Sequence, residues 1–127
     1  MKALQAGISK VNELEEPTCL AVVDAGGNLV AFLRSENATF GTAEIAINKA
    51  YTASAFRLDT AELGPVVQPG AEIFGLLGQA RPFIPFGGGL PVFRDGQHVG
   101  AVGASGGPVS ADVAIAKAMV ASLDSRD

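Results

Sequence analysis

Apolar runs that alternate with glycine-containing turns predict two β-hairpins in this chain. Each hairpin has two short runs rich in β-branched and aromatic residues, separated by a turn where glycine supplies the positive φ angles. The predicted strands are Cys19–Val23, Leu29–Leu33, Leu90–Phe93 and His98–Val102. We predict that the chain reverses at Gly26-Gly27 in the first hairpin and at Asp95-Gly96 in the second.

Helical patterns precede the first hairpin and separate it from the second. Segment 1–14 is predicted to be a weak helix that ends before Pro17. Segment Gly41–Arg57 is predicted to be a long helix with Thr42 as its N-cap. Its small apolar residues form a stripe that would let the helix lie close to a sheet. The stripe consists of Ala43, Ala46, Ile47, Ala50 and Ala53.

The rest of the pattern completes a fold of the α+β class. Segment Thr60–Leu77 contains two prolines and several glycines, which predict short helical turns. Segment Ser110–Leu123 is predicted to be a helix capped by Ser110, with Asp112 placed favourably in its first turn. Two hairpins without regular strand–helix–strand alternation favour an antiparallel sheet covered by helices.

Composition narrows the classes of function. The 127 residues fit one domain, which we expect to span residues 1–127, and a 48% apolar fraction is ample for a core. Charged residues make up only 17%, which favours a homo-oligomer that hides apolar surface. The net charge of −4 argues against nucleic acid as a partner.

Membrane and secretion signals are not apparent in the sequence. No apolar run approaches the roughly 18–20 residues that a membrane-spanning helix needs, so we expect no membrane partner. The first residues lack the apolar core of a signal peptide, and Cys19 is the single cysteine. A disulfide framework is therefore excluded, and we expect a cytoplasmic location.

The motif Gly103-x-Ser105-x-Gly107 matches the nucleophile elbow of serine hydrolases. That chemistry needs a histidine base, and His98 is the only histidine in the chain. His98 lies on the strand that leads to Ser105, so roughly 23 Å of extended chain separates the two. The motif therefore favours a role for glycine in the backbone over a hydrolase.

Glycine in this region is interpreted as a backbone requirement. Gly100 and Gly103 would remove side chains where a helix, a partner subunit or a ligand approaches the sheet. Gly106 is predicted to need a positive φ angle at the exit toward the last helix. Gly87–Gly89 precede a strand and not a helix, which argues against a phosphate-binding loop.

Four segments together resemble the GlcG/HbpS family, which also occurs as the C-terminal domain of PduO-type proteins. They are VVDAGGNLVAFLR (22–34), AINKAYTASAF (46–56), FGGGLPV (86–92) and DGQHVGAVGASGG with the following Asp112 (95–112). The resemblance implies a profilin-like fold, with a five-stranded antiparallel sheet, helices on both faces and assembly into homo-oligomers.

The resemblance also implies binding of a small ligand, with haem as one possibility, and an accessory role in a catabolic pathway. Haem binding in PduO-type members uses an N-terminal histidine, which is absent from residues 1–20 here. The other possible iron ligands in this chain are His98 and Tyr51, followed by Cys19, Met1 and Met119. We expect no metal site apart from haem.

Two further functions stay open. A shared pocket could make the protein a cofactor-free tautomerase, isomerase or lyase of a small organic acid, with Arg34 holding the acid and Glu44 moving protons. The residues expected to line this pocket and bind the ligand are Asn48, Lys49, Tyr51, Gly88 and Gly89. The protein could also be an oligomeric accessory protein without a site.

Overall fold

A computed structural model describes residues 2–123 as an antiparallel sheet with helices on both of its faces. The helices are α1 (Lys2–Leu14), α2 (Gly41–Phe56), α3 (Thr60–Leu63) and α4 (Val109–Leu123). The strands are β1 (Cys19–Asp24), β2 (Leu29–Arg34), β3 (Gly89–Arg94) and β4 (Gln97–Ser105). The predicted order of helices and hairpins is confirmed. Within this part of the chain, every helix is too short or too polar to cross a membrane.

The two predicted hairpins are confirmed, and their turns follow from local chemistry. Gly27 has a φ of 83°, and the second turn has positive φ at both Asp95 (52°) and Gly96 (80°). The carboxylate of Asp24 accepts a hydrogen bond from the backbone N–H of Asn28 at 2.9 Å. This contact pulls the ends of β1 and β2 together, as short polar side chains do in turns.

The sheet has four strands in the order β2-β1-β4-β3, with all neighbours antiparallel. The five strands implied by the family resemblance are therefore wrong for residues 2–123. The chain between α2 and β3 forms α3 and two 3₁₀ turns, Gly64–Val67 and Phe74–Gly78. Proline cannot donate a hydrogen bond to a sheet, so Pro65 and Pro69 favour such turns over a strand.

Alternate residues of the central strands supply two separate cores. Leu20, Val102 and Ala104 pack with α1 and α4 on one face of the sheet. Cys19, Ala21 and Ala101 pack with α2 on the other face. Because side chains alternate along a strand, one run of apolar residues serves both faces. The helices consequently lie in two layers with the sheet between them.

Helix α2 lies unusually close to the sheet because glycine faces alanine. Ala46, Ala50 and Ala53 are completely buried, as the predicted stripe requires. A Cβ atom at Gly103 would meet the backbone of Ala46 and the backbone nitrogen of Ala50, which would lie only 2.7 Å away. Of the three neighbours that the sequence left open for Gly103, the structure shows the helix. Gly100 instead makes room for the backbone of the neighbouring strand β1.

The predicted N-caps are wrong, although the helices are correct. The Thr42 hydroxyl donates to the Thr39 carbonyl at 2.7 Å and caps no free N–H of α2. Helix α4 already begins at Val109, so Ser110 lies inside it. Asp112 does lie in the first turn of α4, as predicted. Threonine and serine in a first turn resemble caps in sequence, and only backbone geometry separates the two positions.

Gly106 is required for space and not for its φ angle. It is absent from the residues with positive φ, so that part of the prediction is wrong. A Cβ atom at Gly106 would collide with the carbonyl of Pro17 and lie 2.6 Å from the Cα of Thr18. The Ser105 side chain is buried, and among residues 2–123 its hydroxyl has no hydrogen bond to a histidine.

Replacement of Gly106 by alanine should lower the free energy of unfolding by about 1–3 kcal/mol, the usual cost of overpacking. The new methyl group must displace the backbone that precedes β1, which cannot rotate away as a side chain can. Ser105→Ala should cost less than about 1 kcal/mol, the net value of one hydrogen bond. Urea denaturation followed by circular dichroism measures both values.

Gly78→Ala is the matched control for this substitution. Gly78 has an ordinary φ angle, and a Cβ atom there would have no neighbour within 4 Å. We expect this variant to be as stable as the wild type. Equal stability of Gly106→Ala and Gly78→Ala would contradict the steric explanation.

Candidate functional site

A buried ion pair joins α2 to α4 where β3 begins and β4 ends. The Lys49 Nζ lies 2.9 Å from the Asp112 Oδ2 and also donates to the Ala104 carbonyl at 2.9 Å. Lys49 is 0% exposed and Asp112 is 2% exposed. The second carboxylate oxygen of Asp112 accepts the Gly107 N–H at 3.3 Å. Lysine is almost never fully buried without such a partner, so the two side chains depend on each other.

Gly88 leaves the space in which this ion pair forms, and Gly89 leaves space for the backbone of α2 at Lys49. Gly88 has a φ of 123°, and a Cβ atom there would lie 2.7 Å from the Lys49 Nζ and 3.1 Å from the Asp112 Cβ. A Cβ atom at Gly89 would lie 2.9 Å from the Lys49 carbonyl carbon. The Gly88 carbonyl accepts the Ala104 N–H at 2.8 Å, which holds the loop against β4. Any larger residue would push the loop away from the ammonium.

Burial shifts the pKa of both charged groups. The loss of water lowers the pKa of the Lys49 amine and raises the pKa of the Asp112 carboxyl from their ordinary values. The hydrogen bond and the attraction between the two groups oppose both shifts. The two pKa values therefore move toward each other, which eases transfer of a proton from nitrogen to oxygen.

An irregular segment covers the ion pair, and we call residues 79–88 the strap. The Phe86 ring centroid lies 5.1 Å from the Lys49 Nζ, while 42% of Phe86 is exposed to solvent. The strap is attached to α2 because the Ile84 N–H donates to the Thr52 hydroxyl at 2.9 Å. The Phe86 ring contacts the Lys49 ammonium through a cation–π interaction.

Aromatic side chains and one arginine form a second cluster on α2 and the strap. The Arg81 guanidinium lies 3.7 Å from the Tyr51 ring centroid, and the Phe83 ring stacks on Tyr51 at 5.8 Å. Phe56 packs against Phe83 at 4.8 Å. Arg81 also donates a long hydrogen bond of 3.5 Å to the Asn48 side chain. We call Tyr51, Phe56, Phe83 and Arg81 the aromatic cluster.

The only histidine lies beside α2. The His98 Nε2 is 3.3 Å from the Ser54 hydroxyl, and the His98 ring packs against Phe93 at 5.6 Å. Burial, and then the nearby Arg57 charge, lower the pKa of His98 from its ordinary value. Both effects favour the neutral imidazole, which is the form that binds metals.

A cavity of about 260 Å³ lies between the end of α1 and the segment that follows β2. Its lining includes Asn12, Glu15, Glu16, Glu36 and Asn37, and none of the lining side chains is basic. Such a cavity repels anions. None of the residues predicted to bind a ligand lies in it.

The structure brings five of the predicted site residues into two groups. Lys49, Gly88 and Gly89 meet at the ion pair, as the expected approach of α2 to the glycine loop implies. Asn48 and Tyr51 lie one turn apart on α2 and both contact the strap.

Arg34 and Glu44 are not brought together in the same way. Both side chains are exposed, and no ion pair or hydrogen bond joins them within residues 2–123. Their roles as anion anchor and general acid/base remain predictions.

Sequence reasoning missed Asp112 as a member of the site, together with Arg81, Phe83 and Phe86. Asp112 was explained by the helix dipole alone. One signal was available, since Lys49 lies between Ala46, Ala50 and Ala53 of the predicted apolar stripe. A lysine in that position needs an opposite charge, but the sequence does not say which carboxylate supplies it.

Lys49→Met should lower the free energy of unfolding by about 3–5 kcal/mol, because it leaves the Asp112 charge buried without a partner. The double variant Lys49→Met/Asp112→Leu should regain most of this loss, since it buries no charge. Lys10→Met is the control, because its ion pair with Glu13 is largely exposed, and it should cost less than about 1 kcal/mol. Guanidinium denaturation of the wild type and the three variants checks the series, and a double variant no more stable than Lys49→Met would contradict it.

Comparison with known proteins extends these findings. The family model described as haem degrading protein HbpS-like matches residues 1–121. An uncharacterized 15.0 kDa protein of Citrobacter freundii, from the dhaT-dhaS intergenic region, is 43% identical over 117 residues, which cover 91% of this chain and 82% of that protein. The corrinoid adenosyltransferase PduO of Salmonella typhimurium is 36% identical over 94% of this chain. The match spans only 36% of PduO.

Solved structures agree with this relationship. The Klebsiella pneumoniae protein ORFY superposes with a TM-score of 0.96 and 34% identity, covering 99% of this chain and 88% of ORFY. A PduOC haem complex superposes with a TM-score of 0.93 and 36% identity, covering 97% of this chain and 90% of the PduOC chain. HbpS superposes with a TM-score of 0.88 and 29% identity, covering 96% of this chain and 84% of HbpS. The resemblance noted from the four sequence segments is confirmed: this chain belongs to the HbpS-like family.

Proposed function

We propose that this protein binds a small ligand as an accessory to a catabolic pathway, and that haem is a ligand it takes. The aromatic cluster is the observation that carries the proposal, because it presents flat apolar rings beside a positive charge. A flat ligand with carboxylates suits such a surface, since rings stack on rings and arginine pairs with carboxylates. The likeness to a PduO domain in complex with haem supports the choice of ligand.

The aromatic cluster would hold the porphyrin of haem, and one imidazole would hold its iron. When bound, haem supplies a flat porphyrin, carboxylate groups and an iron that changes oxidation state. Arg81 would hold a carboxylate, and His98 would hold the iron with its neutral ring. Cys19 and Met119 are fully buried, so neither is available to iron in this fold. The carboxylate-lined cavity near α1 is a poor alternative for an anionic ligand.

Hemin titration tests the proposal through the Soret band. We expect a stoichiometric band in the wild type and about tenfold weaker binding in His98→Ala, which equals about 1.4 kcal/mol. Arg81→Gln should also weaken binding while leaving the position of the band unchanged, because it removes a carboxylate contact and not an iron ligand. Isothermal titration calorimetry gives an independent Kd.

Arg94→Gln is the control, because it removes one exposed arginine from β3 without touching the cluster. It should bind hemin like the wild type. If His98→Ala and Arg81→Gln also bind like the wild type, the proposed haem surface is wrong. If Tyr51→Phe alone abolishes the band, tyrosine is the iron ligand instead of His98.

Assembly into a homo-oligomer is part of the same proposal. Strand β2 is an edge of the sheet and exposes Leu29 by 50%, Val30 by 55% and Phe32 by 36%. An open edge strand with exposed apolar side chains readily pairs with another chain. A second copy of this protein would cover these residues without bringing charges together, because β2 carries only the terminal Arg34.

Val30→Lys should convert a larger species into a monomer, since it places a charge in the middle of the proposed interface. Light scattering at micromolar concentration should return a mass near 12.9 kDa for this variant only. Asn28→Lys, in the turn before β2, serves as the charge-matched control. A wild-type mass near 12.9 kDa would refute the assembly and leave the haem proposal standing.

A further inference from the structure

The ion pair of Lys49 and Asp112 has the arrangement of an activated nucleophile. Such sites combine a nucleophile, a base within hydrogen-bond reach and a third group that orients the base. Here the Lys49 Nζ lies 2.9 Å from the Asp112 carboxylate, and the Gly107 N–H orients the other oxygen of that carboxylate. Lys49 also donates to the Ala104 carbonyl, so its nitrogen is held in one place.

Stability alone does not require charges at these positions. A buried ion pair is often replaced by apolar side chains of similar size with no loss of stability. Both side chains are buried in this protein, and the absence of a side chain at Gly88 leaves room for the lysine ammonium. The space left around the ammonium is consistent with chemistry at the Lys49 nitrogen. Buried lysines suit such chemistry because their pKa falls readily.

One exposed ring lies over the nitrogen. The Phe86 ring centroid lies 5.1 Å from the Lys49 Nζ and 42% of Phe86 is exposed, so this ring lies between the ammonium and solvent on that side. It belongs to the strap, which has no regular secondary structure between the 3₁₀ turn and β3. Rotation of the Phe86 ring or a shift of the strap would open a path to the Lys49 Nζ.

We propose that Lys49 and Asp112, beneath Phe86, form a site in which Lys49 makes an imine with a small aldehyde or ketone. The inference goes beyond haem binding, because no side chain of the aromatic cluster takes part in it. The substrate must be small, since even one carbon added at Gly88 would lie only 2.7 Å from the Lys49 Nζ.

The reaction needs no further reagent. Asp112 first takes a proton from the Lys49 ammonium, which leaves a lone pair on nitrogen. That pair forms the C–N bond while the carbonyl oxygen takes a proton from the same nitrogen. Asp112 then returns its proton to this oxygen, which leaves as water, and the remaining product is a protonated imine paired with the Asp112 carboxylate. One water is released for each carbonyl bound, and nothing is oxidised or reduced.

Trapping with acetaldehyde and sodium cyanoborohydride at neutral pH tests the site. The reductant converts an imine into a stable ethylamine, which peptide mass spectrometry assigns to a particular lysine. We expect modification of Lys49 in the native wild type. Phe86→Ala should raise its rate several-fold relative to that of Lys117, whereas Phe93→Ala, which truncates an exposed ring on β3, should not.

Asp112→Asn separates chemistry from simple exposure. It should lower the rate at Lys49 by a factor on the order of 10², because the base is lost, while Lys117 reacts as before. Circular dichroism and native mass spectrometry check that each variant is folded, and Lys49→Arg identifies the labelled peptide. If Lys49 stays unmodified in the wild type and in Phe86→Ala while Lys117 reacts, the pair is only structural and the proposal is wrong. An unchanged rate in Asp112→Asn would also overturn it.

Discussion

The ion pair between Lys49 and Asp112 connects two layers that the sheet otherwise separates. Lys49 belongs to α2, whose alanines pack on one face of the sheet, and Asp112 belongs to α4 on the other face. They meet next to the start of β3, because Gly88 leaves no side chain in the way. Each charge loses its water on burial and can remain only if the partner stays within reach. The path of the strap and the start of β3 therefore depend on this contact.

Two sides of helix α2 contact different parts of the structure, namely the sheet and the strap. Its alanines lie against Gly103 on the sheet, which brings the helix close enough for Lys49 to reach Asp112. Its outer side carries Tyr51, which stacks under Arg81 of the strap. Both proposed sites consequently share one helix and one irregular segment. A change in the strap would alter the covering of the ion pair and the aromatic cluster together.

The site was only partly predictable from the residues. Lys49 and the glycine loop could be expected to approach each other, because an alanine-faced helix must lie close to a sheet. Asp112 could not be assigned as the partner, since 63 positions separate it from Lys49 in the chain. The sequence of the strap has no hydrophobic periodicity, so it did not predict the contacts of Arg81 and Phe86. Arg34 and Glu44 looked equally suitable in sequence, yet both side chains point to solvent.

The sequence by itself determined the elements, because their causes are local. Apolar alternation and glycine turns specify the two hairpins, and alanine-rich periodicity specifies α2. Tertiary structure decided where the helices begin, how many strands the sheet has and why glycine is needed at Gly106. Gly106 needs to be small because the chain near Pro17 passes against it, and that approach arises when β1 pairs with β4 and sets Cys19 opposite Ser105. Burial likewise decides which charges must pair, since desolvation exists only after the layers have closed around them.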